Sequence, residues 1–400
     1  MQITANSDQS RFWTAKSLPA SLRPLLGHSL PPEMLDFWLT KLHPLWSVQQ
    51  PLAQIVARQV VGKGSVSLTL KPNRHVVWPA AGQHVSIGAV VNGRRVERSY
   101  SPSPVPDQPD LMMITVKQVT GGRLSNWLYL QAQAGDILHM GSPFGEFYWP
   151  EPEQPMLLLA AGSGITPMIS LLRQHLSPNS TWAATQKPPT RLPLPIKQSV
   201  QLHYWVSQRE EACFIDELLA LQQHQPNFSL QLYLTQSSAQ HSYEQNGRIQ
   251  ASQFAQQQEL ANTYVLACGP AGFVASAQQI LQTQVKSFQA EAFSLSSNSP
   301  SSVLKSSIQT DGLDNKTVQI SLQRQQRQIN VPIGQSILAA LEAQGIAHPS
   351  GCRMGLCNTC ACAKLSGSTQ HLISGEQQHD ENPALRLCVS MARSDLVLDI

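Results

Sequence analysis

Between residues 155 and 282 the chain alternates continuous apolar runs with stretches of helical period, which restricts its fold more than any other feature. "PMLLLAAG" (155–162) reads as a buried strand and "TPMISLLRQHL" (166–176) as a helix. "SVQLHYWVS" (199–207) is a strand, "FIDELLALQQH" (214–224) a helix, "FSLQLYLT" (228–235) and "TYVLACG" (263–269) strands, and "PAGFVASAQQILQ" (270–282) a helix. Parallel strands need crossover connections, and helices supply them, so the pattern predicts an α/β domain with a parallel sheet over 151–293. The Pro- and Thr-rich stretch 177–198 interrupts it and reads as a surface loop.

Upstream, over 52–150, the period is different. Short alternating runs such as "SVSLTL" (65–70), "QHVSIGAVV" (83–91) and "LMMITVKQV" (111–119) are punctuated by Gly, Pro and Asn. They predict an antiparallel β barrel. Residues 1–51 are an irregular extension holding Trp13, Trp38 and Trp46. Residues 294–307 contain eight serines in fourteen positions, so 294–315 reads as a flexible linker. The last segment, 316–400, shows strands "TVQISL" and "RQINVPI", a helix "QSILAALEAQG" and a closing strand "DLVLDI". The chain is multidomain, as 400 residues suggest.

Composition sets the compartment and excludes some partners. A net charge of +3 with 13% charged residues, and no basic stripe, argues against nucleic acid. The start "MQITANSDQSRFWTAKSL" lacks the apolar core of a secretory signal, and the longest apolar run is about half a membrane span. A cytoplasmic location is expected, where thiols stay reduced and clustered cysteines indicate metal or redox chemistry.

Four of the seven cysteines lie within residues 352–362. Cys352, Cys357 and Cys360 are spaced C-x4-C-x2-C, and Cys388 follows. That is the spacing of a plant-type 2Fe-2S cluster. Three thiolates from one loop surround two irons only if the backbone wraps closely, which calls for small residues such as Gly351 and Gly355. The rival is structural zinc, which usually shows two paired knuckles, whereas one C-x2-C exists here. Cys362 is off the pattern and reads as a small buried side chain, as does Cys213. The tail resembles plant-type ferredoxins along its whole length, which implies an α+β β-grasp domain. It departs from them at Asn358, where the family has Gly; Asn tolerates left-handed backbone. With seven Lys/Arg against six Asp/Glu in 316–400, the strongly acidic surface of free ferredoxins is missing.

Two further motifs suit nucleotide cofactors. "RSYSP" (98–102) ends a barrel strand, and "GGRLSNWL" (121–128) sets two glycines before a short helix whose free N–H groups suit a phosphate. Arg98 can add a bidentate contact, Tyr100 can lie against a ring system, and Ser101 can donate to it. "AAGSGITP" (160–167) follows a strand and opens a helix, so its glycines admit a dinucleotide to the backbone.

These motifs, with "GSPFGEF" (141–147) and "CGPAGF" (268–273), resemble the ferredoxin–NADP reductase superfamily over 52–290. The resemblance implies FAD, or FMN as the alternative, at Arg98, Ser99, Tyr100 and Ser101. It assigns the flavin pyrophosphate to Gly121, Gly122, Arg123, Leu124 and Ser125. It sets NADPH or NADH against Gly162, Gly164, Thr166 and Pro167, and against Cys268, Gly269 and Pro270. Thr166, Cys268 and Ser101 would line the reacting rings. At the end of the second strand, "VSQREE", Ser207 and Arg209 could take a 2′-phosphate, which favours NADPH, although Glu210 and Glu211 blur that signal.

The barrel–nucleotide–ferredoxin order resembles reductases that pass electrons from NAD(P)H through a flavin to a 2Fe-2S centre. "DFWLTKLHPLWS" (36–47) and "GCRMGLCNTC" (351–360) resemble reductase partners of membrane-bound acyl-CoA desaturases. An electron-acceptor protein is therefore expected, a fatty acyl desaturase first and a Rieske or aromatic-ring oxygenase as the alternative. Residues 1–50 could touch a membrane surface or pack on the protein. A redox sensor without turnover is the rival from another class.

Overall fold

The computed structural model describes residues 36, 38, 39, 41–150, 154–176, 198–255, 259–293, 317–350, 355, 358–372 and 375–400. The loop expected at 177–198, apart from Gln198, the serine-rich linker 294–315, Trp13, Cys352 and Cys357 lie outside these residues. The chain divides into two compact units, Met1–Gln50 and Pro51–Ile400. In the first, a short helical turn precedes a bend held by Asp36, whose carboxylate accepts from Ser47 Oγ at 3.1 Å. His43 stacks on Trp46 with ring centroids 5.6 Å apart. No helix among the described residues is long and apolar enough to cross a membrane.

The second unit opens with seven antiparallel strands, β1 (Leu52–Gly62), β2 (Ser65–Pro72), β3 (Val85–Val91), β4 (Arg94–Tyr100), β5 (Ser103–Pro104), β6 (Met112–Lys117) and β7 (Ile137–Met140). Their order is β4-β3-β7-β1-β2-β6-β5. Asn92 and Gly93, both at positive φ (50° and 74°), join β3 to β4 in the two-residue turn that an Asn-Gly pair favours. Alternate residues point inward, so Ile55, Leu68, Leu70, Ile87, Ile114 and Leu138 form one buried core. Helix α1 (Arg123–Leu130) packs over β3, β4 and β6.

Next comes a parallel sheet of β8 (Met156–Ala161), β9 (Val200–Val206), β10 (Phe228–Leu234), β11 (Glu244–Asn246), β12 (Tyr264–Pro270) and β13 (Ser287–Phe293). The order is β11-β10-β9-β8-β12-β13. Every residue of β8 is buried, as a central parallel strand requires. Helices α2 (Ile165–Leu176) and α3 (Ile215–His224) cover one face, and α4 (Ala271–Leu281) the other. From β8 the chain winds outward through β9 to β11, then returns to β12 on the opposite side. The crevice where ligands settle in such sheets therefore lies at the carboxyl ends of β8 and β12.

The tail folds around β14 (Thr317–Leu322), β15 (Arg327–Pro332), α5 (Ile337–Ala343), β16 (Ala361–Ser366), β17 (Thr369–His371), β18 (Gln377–Gln378), β19 (Asn382–Arg386), β20 (Ser390–Ala392) and β21 (Leu396–Leu398). The main sheet runs β15-β14-β21-β16-β19, with β14 and β21 parallel and the other pairs antiparallel. Ser336 caps α5, its hydroxyl accepting from Ala339 N at 3.2 Å. Leu338 N donates to Leu387 O at 3.0 Å, which fixes the start of α5 beside the turn between β19 and β20 that carries Cys388.

Candidate functional site

The barrel motif sits where its sequence suggests. β4 delivers Arg98, Ser99 and Tyr100, and Ser101 follows, 4% exposed. Burial pushes the Tyr100 phenol well above its ordinary pKa, so it stays neutral. Arg98 Nη1 donates to Glu97 O at 2.7 Å. Ser99 Oγ is buried without a partner among the described residues, an orphan donor in the strand assigned to the flavin. Gly121, at φ 74°, turns the chain into α1, and Gly122 is its N-cap. A Cβ on Gly122 would lie 2.4 Å from Ser125 Oγ and 3.0 Å from Val119 O, so a larger residue there would have to displace the Ser125 hydroxyl. These residues fit a flavin with a phosphate at the helix N-terminus.

The dinucleotide loop is tighter. Gly164 is pressed on the end of β12: a Cβ there would stand 2.0 Å from Cys268 O and 3.0 Å from Gly269 N. Gly269 in turn leaves room for Ala161, 2.9 Å from where its own Cβ would be. Gly162 adopts φ 55°, and Thr166 Oγ1 donates to Ser163 O at 3.0 Å, closing the first turn of α2 around Pro167. Pro270 caps α4 with its extended backbone. Cys268 is wholly buried, and burial with the nearby Glu291 carboxyl holds its thiol well above the ordinary range. It is therefore a neutral thiol, suited to lining a pocket rather than to nucleophilic attack.

Two buried groups beside Cys268 are absent from the motifs. Glu291 of β13 is the register partner of Cys268 and is 5% exposed. Burial pushes its carboxyl up to about 8. Its Oε2 lies 3.1 Å from Nε2 of His84, which is 1% exposed and which burial lowers to about 4. The contact is out of line for a straight hydrogen bond, since neither atom has a partner of good geometry. Gly145, at φ 103°, lies against both groups. A charged residue in the alternation "SFQAEAF" reads as a solvated edge; nothing in the sequence announces its burial.

Of the two residues read as a 2′-phosphate site, Arg209 is already engaged. Arg209 Nε and Nη2 donate to the two oxygens of Glu244, each at 2.5 Å, and Nη2 also to Ser238 O at 3.1 Å. The Arg209 guanidinium, with two backbone N–H groups, holds Glu244 down to about 2. The Ser207 carbonyl accepts from Gln236 N at 2.9 Å. Arg209 thus ties the loops after β9 and β10 together, which weakens it as a hook for NADPH. Glu211, next to it, pairs with Lys117 of β6 at 2.7 Å.

In the tail, Cys360 and Cys388 are buried in one core, 2% and 8% exposed. Gly355, at φ 76°, is packed so closely that a Cβ would lie 2.8 Å from Val389 Cγ2, and its carbonyl accepts from Arg386 Nη1 at 2.6 Å. Gly355 thus lies against the Cys388 segment, as a four-thiolate site requires of the residues between its cysteines. Asn358 takes left-handed backbone at φ 55°, which explains why it can stand where glycine is usual. Cys362 and Cys213 are buried side chains in apolar cores.

Comparison with known proteins agrees with this layout. Residues 54–149 match the model of an oxidoreductase FAD-binding domain, 158–279 that of an oxidoreductase NAD-binding domain, and 320–393 that of a 2Fe-2S iron-sulfur cluster binding domain. An NADPH oxidoreductase of Mycobacterium tuberculosis is 28% identical over 404 residues, covering 99% of this chain and 95% of that protein. The phthalate 4,5-dioxygenase oxygenase reductase subunit of Pseudomonas putida is 27% identical over 357 residues, 87% of this chain and 96% of its own. The solved structure of phthalate dioxygenase reductase superposes with a TM-score of 0.52 at 20% identity, covering 87% of this chain and 97% of that one.

Fold and matches define a class: FAD-binding, NAD-binding and 2Fe-2S ferredoxin domains in the ferredoxin–NADP reductase-like arrangement. The protein is an NAD(P)H-dependent oxidoreductase.

Proposed function

We propose that the protein is the reductase component of an oxygenase system, taking electrons from NAD(P)H and delivering them to a separate Rieske or ring-hydroxylating oxygenase. The observation that carries the delivery step is the ferredoxin core. Cys360 and Cys388 are buried together, and Gly355 of the cysteine loop is pressed on Val389 beside Cys388. In this reading Cys352, Cys357, Cys360 and Cys388 hold the cluster. Arg98, Ser99, Tyr100 and Ser101 hold the flavin ring and phosphate, and 121–125 its pyrophosphate. Gly162, Gly164 and Pro167 shape the dinucleotide loop with Gly269 and Pro270, while Thr166, Cys268 and Ser101 face the reacting rings.

When bound, FAD supplies a two-electron acceptor for hydride that releases electrons singly, and the cluster carries one at a time. The chain's own residues supply order and exclusion. Cys268 presents an uncharged thiol, and the close approach of Gly164 to the Cys268 carbonyl holds the loop against the β12 end. Because Arg209 is committed to Glu244, the donor is written NAD(P)H. Of the relatives described above, the one that names its acceptor names a dioxygenase, which supports an oxygenase over the acyl desaturase expected from residues 36–47.

The test is acceptor-specific reduction. The intact protein should reduce cytochrome c rapidly with NADH or NADPH. Cys388→Ser should lose this while still reducing ferricyanide, and the wild type should support turnover of a Rieske oxygenase. Absence of cytochrome c reduction in the intact protein would favour a redox sensor instead.

A further inference from the structure

Helix α2 starts at the dinucleotide loop and is bolted to the chain that leaves the flavin motif. Ser170 Oγ donates to Pro102 O at 2.8 Å, one residue beyond Ser101. One turn later comes Arg173, a cation only 4% exposed. Its Nη1 donates to Ser103 Oγ at 2.9 Å and to Pro104 O at 3.0 Å. Its Nε and Nη2 donate to the two oxygens of Glu217 on α3 at 2.7 and 2.8 Å. The Phe214 ring lies 5.1 Å from the guanidinium carbon. Phe214 itself sits at φ 62°, a backbone conformation a bulky residue rarely adopts, at the N-cap of α3.

Burying a guanidinium in this way is a poor route to stability alone. Its desolvation offsets most of the attraction to Glu217, and apolar side chains of similar volume in place of the whole pair hold two lobes together as well or better. What the fork adds is direction. Five donors in a fixed plane admit one orientation of the partners, here three elements at once: β5, α2 and α3. Helix rise puts Arg173 about 12 Å along the axis from Ile165 at the head of α2. The dinucleotide loop and the residues just after Ser101 are thus joined through one short rigid path.

We propose that Arg173 is a positioning residue for hydride transfer. It fixes the offset between the end of the flavin strand and the dinucleotide loop, and so the approach of the two reacting rings; this rests on the dinucleotide-to-flavin reading above. Misplacement of reacting groups by about 1 Å costs up to about a hundredfold in rate while leaving binding nearly intact. A residue that only stabilises the fold would not separate the two.

The experiment compares wild type, Arg173→Met and Glu217→Gln in six readouts: flavin content, thermal midpoint, dinucleotide dissociation constant, stopped-flow flavin bleaching at saturating NADH and NADPH, the charge-transfer band and amide exchange. Arg173→Met keeps volume and removes the fork. Both variants should match the wild type in flavin content and, to about twofold, in dissociation constant, while the midpoint falls in both because each leaves one partner of a buried pair unmatched. Bleaching should slow at least about tenfold in Arg173→Met and less in Glu217→Gln. The long-wavelength charge-transfer band of the stacked rings should weaken in the same order. In the flavin-free protein, amide exchange over 101–105 should speed up in Arg173→Met. Bleaching within twofold of wild type, or slowing that follows the loss of flavin or of midpoint across the two variants, overturns the proposal. Failure of the wild type to bleach with either dinucleotide overturns the hydride reading, and exchange unchanged at 101–105 then overturns the strut as well.

Discussion

Glu291 and His84 are opposite cases of the same cost: each is buried beside the other, and each is held in its neutral form. Glu291 is raised to about 8 from an ordinary 4.5, by burial first, with the Glu146 backbone N–H pulling it down and the Glu146 carboxyl pushing it up. The native state therefore keeps a proton that the unfolded chain loses above 4.5, and its stabilisation is lost as pH rises towards 8. His84 is lowered to about 4 from 6.5, so its contribution is present above 6.5 and lost as pH falls towards 4. Between about 4.5 and 6.5 the two slopes oppose, and above 6.5 Glu291 acts alone. Unfolding free energy should fall by about 1.4 kcal/mol per pH unit over that window, or about 2 kcal/mol in all. Urea unfolding of wild type and Glu291→Gln from pH 6 to 8.5 checks this; the variant should be flat where the wild type declines. Neither residue advertises itself in the sequence. A lone histidine after "GQ" and a glutamate in an alternating strand look solvated, and only the side-chain contact between the residue before β3 and β13 reveals otherwise.

At the scale of elements, the contact between the β8–α2 loop and the end of β12 depends on one missing methyl group. Gly164→Ala would place a Cβ 2.0 Å from Cys268 O, which backbone cannot accept without moving the loop. Dinucleotide affinity should fall about a hundredfold or more, while flavin content, set in the other sheet, stays unchanged. Equilibrium titration with NADH and NADPH measures it, and unaltered binding would remove the loop from the site. This loop was legible because glycines between a wholly apolar strand and a helix have few other uses. The cysteine spacing was legible for a similar reason, being a ligand pattern that packing alone does not produce. Strands β11, β13 and β16 to β20 were not. Most are two to six residues long, carry polar side chains and exist only through their partners. Lys364 on β16 illustrates the limit: it reads as a surface residue, yet it is 1% exposed, with Nζ donating to Gly367 O at 2.8 Å and Gln378 O at 3.1 Å.

Across the whole molecule, the claim is an ordered path: dinucleotide loop at the β8–β12 crevice, flavin strand joined to it through α2, and a ferredoxin core at the end of the same chain. The three grammars of the sequence, alternating strands, strand–helix alternation and spaced cysteines, correspond to the core of the barrel, the cores on the two faces of the parallel sheet and the core of the tail. That division was readable because each core imposes its own period. The ties between sheets, Arg173 to Pro104 and Lys117 to Glu211, were not, since they join charges and carbonyls far apart in sequence. The most direct measurement is anaerobic stopped-flow mixing of the intact protein with NADH or NADPH, with freeze-quenched samples read by low-temperature EPR. Flavin absorbance should fall first, and the reduced 2Fe-2S signal should grow in afterwards at a rate limited by that step. A cluster signal that appears without flavin bleaching, or bleaching that never yields a reduced cluster, would contradict the path.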